Sequence, residues 1–88
     1  MDREEAASVL ATHLDRLEAE GYDHLVARIG DVETFEVITD RGAKYQLEFQ
    51  TVWDFGPGGT VRILGSIDDG GLRAVLPLSD DRLVDRAG

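Results

Sequence analysis

Along Ala43–Asp54, AKYQLEFQTVWD, apolar and polar positions alternate: Ala43, Tyr45, Leu47, Phe49, Thr51 and Trp53 share one parity, and Lys44, Gln46, Glu48 and Gln50 the other. A period of two belongs to a strand packed on one side and wet on the other. This stretch therefore predicts the central strand of an antiparallel sheet. Upstream, the period lengthens. Within Asp2–Glu20, Ala6, Leu10, His13, Leu14 and Leu17 recur at helical spacing, with Val9 widening the stripe. Asp2 and Glu5 have the spacing of a capping box, and Gly21 stands where a helix stops. Tyr22, Leu25, Val26 and Ile29, at i, i+3, i+4 and i+7, predict a second, short helix to Gly30 with Asp23 as its N-cap.

Glu33–Thr39 reads as the first strand, with Phe35 and Val37 inward and Glu36 and Ile38 outward. Asp40-Arg41-Gly42 then suits a type I turn closed by a left-handed glycine. That turn sets Val37 opposite Tyr45 and Phe35 opposite Leu47; a two-residue turn would oppose Val37 to Gln46 and mix the two faces. Asp54–Gly59, DFGPGG, is a connection too long for a tight hairpin. It lacks the Lys-Ser/Thr ending of a phosphate-binding loop. Thr60–Asp68 is the third strand, with Val61, Ile63, Gly65 and Ile67 inward. If Trp53 opposes Val61, then Phe49 opposes Gly65 and its ring fills the space the glycine leaves. Asp69-Gly70 predicts a type I′ hairpin into a fourth strand, Leu72–Leu76, pairing Ile67 with Leu72 and Gly65 with Ala74. Pro77 would end that strand, and Ser79-Asp80-Asp81 would cap a turn of helix within a C-terminal tail, 79–88.

These elements predict one α+β domain over 1–88: two N-terminal helices (1–30) on one face of a four-stranded antiparallel meander (33–78), in two layers and in the order ααββββ. Its expected core is Leu10, Leu14, Leu17, Tyr22, Leu25, Val26, Ile29, Phe35, Val37, Tyr45, Leu47, Phe49, Trp53, Val61, Ile63, Ile67, Leu72, Ala74 and Leu76.

Composition narrows the class. With 88 residues, 42 % of them apolar, the chain can fill one modest core. It has no apolar run near the roughly 20 residues of a membrane span, and it opens acidic where a secretory signal would be basic and then apolar. The absence of cysteine removes disulfides and thiol chemistry and fits a reducing compartment, so a cytoplasmic location is expected. The net charge of −9 is uneven: residues up to Asp40 carry −8 and the rest −1. Such a balance disfavours nucleic acid, which is bound by Lys and Arg on phosphates, and anionic membranes. It favours a basic protein partner, or solubility alone.

The fragments Y-Q-L-E-F-Q-T-V-W-D, G-P-G-G, R-I-L-G-S-I-D-D-G-G-L-R-A and P-L, spread over Tyr22–Leu78, resemble a group of small bacterial proteins of unknown function with W-D and I-D-D-G-G signatures. The group has an aromatic residue after P-L, where Ser79-Asp80-Asp81-Arg82-Leu83 stands here. The resemblance implies a helical start and a sheet, and brings no activity, cofactor or site residue with it.

Candidate chemistry is sparse. Asp54, Asp68 and Asp69 could supply oxygen ligands to Ca²⁺ or Mg²⁺, but the predicted register puts Asp54 and the Asp68-Asp69 pair at opposite ends of the third strand. Turn-forming aspartate accounts for them. His13 borders an apolar stripe with no second ligand at i±4, and His24 reads as a solvated surface residue. No Ser or Thr has a nucleophile's surroundings, and no cofactor or metal is expected. The outer sheet face is richer. There the predicted register gathers Val52, Leu64 and Val75 beside Arg62 and Arg73, an apolar group on a face that should be wet. It is expected to bind a protein, including a second copy, to be covered by Leu83 and Val84 folding back, or to be no more than scattered surface apolar residues. The first reading is thus a non-enzymatic protein-interaction domain, possible as a homodimer. The second is an acidic immunity- or antitoxin-like protein neutralising a basic partner, and the third a metal-dependent enzyme.

Overall fold

In the computed structural model, which describes residues 2–70 and 77–86, α1 spans Arg3–Glu18, α2 Tyr22–Ala27, β1 Val32–Ile38, β2 Lys44–Trp53, β3 Val61–Asp68 and β4 Leu78–Val84. The strands form one antiparallel sheet in the order β1-β2-β3-β4, so the fold is α+β with the helices first. Asp2 caps α1, its Oδ1 accepting from the Glu5 N–H at 3.0 Å. The return half of the capping box does not form. Glu5 turns instead to the hydroxyl of Tyr45, which donates to its Oε1 at 2.8 Å. Tyr45 has its ring in the core and needs an acceptor for its polar end. The N-cap of α2 is Gly21 rather than Asp23, which sits in the first helical turn.

The β1–β2 turn has the expected form. Gly42 adopts φ 84°, its N–H donates to Thr39 O at 2.8 Å, and Thr39 N–H donates to Ala43 O at 2.8 Å. Only glycine takes that backbone region without strain. Val37 accordingly opposes Tyr45 and Phe35 opposes Leu47. Across β2 and β3, Trp53 opposes Val61 and Phe49 opposes Gly65. A Cβ on Gly65 would come within 2.9 Å of Phe49 Cε1 and 3.0 Å of Leu10 Cδ1. The glycine thus lets an aromatic ring and a helix side chain close on the middle of β3.

Beyond Asp68 the chain departs from the expected hairpin. The proposed strand Leu72–Leu76 lies outside the described residues, together with its core positions Leu72, Ala74 and Leu76. The neighbour of β3 is Leu78–Val84, which sets Ile67 opposite Leu78, Gly65 opposite Asp80, Ile63 opposite Arg82 and Val61 opposite Val84. Residues 79–84 are therefore strand where a tail with a helical turn was expected. Asp69 does not take the positive φ that a type I′ turn demands at both central positions; Asp68 Oδ1 instead accepts from Gly70 N–H at 2.7 Å. β4 escapes recognition because Asp80 and Arg82 occupy its inward row. At a sheet edge such side chains need not be buried: Asp80 is exposed, and Arg82 reaches past the sheet to donate to Asp15 of α1 at 3.2 Å.

The helices sit off-centre. α1 packs over β3 and β4, and α2 over β3. Between them they bury Ala6, Leu10, Leu14, Leu17 and Leu25 against Tyr45, Leu47, Phe49, Val61, Ile63 and Ile67. Tyr22, Val26, Ile29, Val37 and Trp53 lie partly buried around this centre. Phe35, expected inside, is exposed because its strand is the one the helices leave open. What reaches it is His13, whose ring centroid lies 5.8 Å from that of Phe35 and 6.2 Å from that of Phe49. The His13 Nδ1 meets Val9 O at 3.0 Å, which accounts for this histidine as a packing residue on α1. Arg28, just past α2, ties the end of the helical region to β1. It bonds Glu20 at 2.9 Å and pairs with Glu33, and the Glu20 hydrogen bond is the main reason its pKa is raised. Among the described residues, no helix is long and apolar enough to cross a membrane.

Candidate interaction surface

Because directly opposed residues share a face, the register assembles the outer surface row by row. One row runs Leu83–Arg62–Val52 and the next Asp81–Leu64–Gln50–Val32. Then follow Ser79–Ser66–Glu48–Thr34, Asp68–Gln46–Glu36 and Lys44–Ile38. The first two rows concentrate Leu83, Val52, Leu64 and Val32 at one end. The middle rows are polar and hold a shallow groove of about 570 Å³ that includes Thr34, Glu36, Gln46, Glu48, Ser66 and Asp68.

Of the residues singled out in the sequence, Val52 and Arg62 stand directly opposite one another and Leu64 follows Arg62 on the same face. Arg73 and Val75 lie outside the described residues. Leu83, expected either as a cover or as part of a helical turn, takes its place in the sheet opposite Arg62 and is exposed. Val84, expected beside it, faces the core instead. Leu83 could have been found from the sequence only by recognising S-D-D-R-L-V as an edge strand, which its charged inward positions conceal.

Arg62 holds this end together electrostatically. Its Nε donates to Asp54 Oδ1 at 2.8 Å and its Nη1 to Asp81 Oδ2 at 2.5 Å. The hydrogen bond and charge of Asp54, with the charge of Asp81, raise its pKa. An arginine gripped by two carboxylates is a neutral-to-acidic plug in an apolar patch, not a lone cation waiting for phosphate. Asp54, read as a turn former, is thus the anchor of Arg62, while Asp68 does serve the turn. Among the described residues, no group of three or more His, Asp or Glu gathers as a metal site. Lys44 and Glu36 pair at 3.4 Å on the same face.

No protein-family model, curated protein or solved structure matches this chain.

Proposed function

We propose that this chain is a non-enzymatic protein-interaction domain of the cytoplasm that assembles with a second copy of itself, using the outward side of its sheet. The observation that carries this reading is the placing of its exposed large apolar residues. Among the described residues, four of six, Val32, Ile38, Leu64 and Leu83, project from the outer face. Ile38 stands apart at the far end, but Val32, Leu64 and Leu83 gather with Val52 at the other, and such a cluster marks an interface. Charge supports the same face. Its sixteen strand positions carry Glu36, Glu48, Asp68 and Asp81 against Lys44 and Arg62, a net of −2 within a chain of −9. Two copies therefore meet there with little net repulsion. Sedimentation velocity over a wide concentration range should show the 9.7 kDa species giving way to one of twice that mass. A strict monomer at the highest attainable concentration overturns the reading.

A second reading, capture of a basic protein, rests on the −8 carried by residues up to Asp40. It requires a complex that dissociates as salt screens the charges.

A further inference from the structure

The free edge of β1 fits a partner more closely than the outer face itself does. We propose that the second copy adds along β1, antiparallel, so that two four-stranded sheets become one eight-stranded sheet about a two-fold axis at Phe35. This rests on the self-association proposed above and moves its contact from the outer face to the sheet's edge, leaving Leu64 and Leu83 uncovered.

In an antiparallel ladder, hydrogen-bonded and non-hydrogen-bonded pairs alternate. Thr39 N–H donating to Ala43 O sets the parity for β1. Val37, Phe35 and Glu33 therefore bond to β2, and the N–H and C=O groups of Val32, Thr34, Glu36 and Ile38 aim away from the sheet. Among the described residues no strand pairs with them. The strand offers few of the usual obstacles to pairing: it holds no proline, its register with β2 runs unbroken from Val32 to Ile38, the helices lean toward the other edge, and its one inward charge, Glu33, is paired with Arg28.

Side-chain chemistry selects one register. Only alignments that oppose even-numbered positions to even-numbered positions can form the new hydrogen bonds, and three of these keep most of the strand paired. An axis at Glu36 opposes two like charges. An axis at Thr34 sets Val32 against the partner's Glu36 and Phe35 against the partner's Glu33. An axis at Phe35 sets Val32 against the partner's Ile38, Thr34 against the partner's Glu36 and Phe35 against the partner's Phe35, and its one charge-to-apolar opposition is Glu33, held by Arg28, against the partner's Val37. In the free chain Val32 is 55 %, Ile38 66 % and Phe35 39 % exposed, so one contact covers three of the six exposed large apolar residues among those described. The strand's two carboxylates are already answered within their own chain, Glu33 by Arg28 and Glu36 by Lys44, so the edges meet without bare like charges.

The chain has no cysteine, so a single one can report the axis. Non-hydrogen-bonded partners lie about 4.5 Å apart at Cα, within the range a disulfide spans. Phe35→Cys should therefore give a covalent dimer under mild oxidation, and Leu64→Cys should not. Thr34→Pro, which removes an N–H aimed at the partner rather than at β2, should sediment as a monomer and melt near the parent's temperature at dilutions where the parent is monomeric too. Ile38→Asp supplies the same test should the proline impair folding. If Phe35→Cys stays unlinked while Thr34→Pro and Ile38→Asp still dimerise, edge pairing is wrong and the interaction reading stands. If the unaltered chain never associates, the interaction reading falls as well.

Discussion

Along β4, Ser79, Asp80, Asp81 and Arg82 put four polar side chains in succession just after Pro77, two of them on the inward row, and α1 packs against the strand. Along β1, Thr34, Phe35, Glu36 and Val37 alternate before the outward Ile38, and what α1 brings to the strand is the His13 ring against Phe35. Both strands end the same sheet, yet β4 puts two charges on its inward row under α1, whereas β1 puts one there, Glu33, already held by Arg28. The difference teaches where this molecule is closed and where it is open. The core is complete on the β3–β4 side, and the residues left over, Phe35 above all, collect at the opposite edge.

The sharpest way to break this comparison is to cut side chains on each side of the sheet. Leu14, fully buried beneath α1, should cost about 2–5 kcal/mol as Leu14→Ala, because removed methyls leave a cavity. Phe35→Ala should cost about 1–2 kcal/mol, below the roughly 3–5 kcal/mol of a fully buried aromatic, since its ring is already partly in water. Urea denaturation at low protein concentration measures both, and equal losses would show the edge to be as much core as the centre. Between those two in size falls Gly65→Val. Its added atoms must displace the Phe49 ring, itself 5.5 Å from that of Phe35, and the tip of Leu10, at about 1–3 kcal/mol of overpacking.

The smallest effect is alkaline. The hydrogen bond that Tyr45 donates to Glu5, then burial, then the charges of Glu5, Asp2 and Asp69 push its pKa up to about 12, from about 10 in an unfolded chain. The native state holds this proton more tightly, so the stabilisation is whole below pH ~10 and is lost as pH rises through about 12. Tyr45→Phe should flatten that part of the decline in urea midpoint between pH 9 and 12. A slope identical to that of the parent would show that the Tyr45–Glu5 bond does not hold in solution.

The three strands from Val32 to Asp68 were legible because two kinds of information agree on them. Turn chemistry at Asp40-Arg41-Gly42 and alternation along β2 specify the same register, and the match of Phe49 to Gly65 then fixes β3. The last strand was not, because Leu72–Leu76 after Asp-Gly makes the stronger local pattern, whereas β4 obeys no alternation that sequence alone reveals. Its inward Arg82 is satisfied by Asp15, 67 positions away, a partnership with no local trace. The same blindness applies to the surface. Val52, Arg62 and Leu64 were found from parity, but their neighbour Leu83 and the exposure of Phe35 depend on where α1 comes to lie over the sheet.

That resting place joins the earliest helix to the latest strand. During synthesis the apolar stripe of α1 leaves the ribosome long before β4 exists to receive it, so the stripe must wait, half covered, until some sixty further residues have emerged. Contacts this distant along the chain slow the final closure. A nascent chain stalled before Leu78 should accordingly remain protease-sensitive even though its β1–β2 turn is already made.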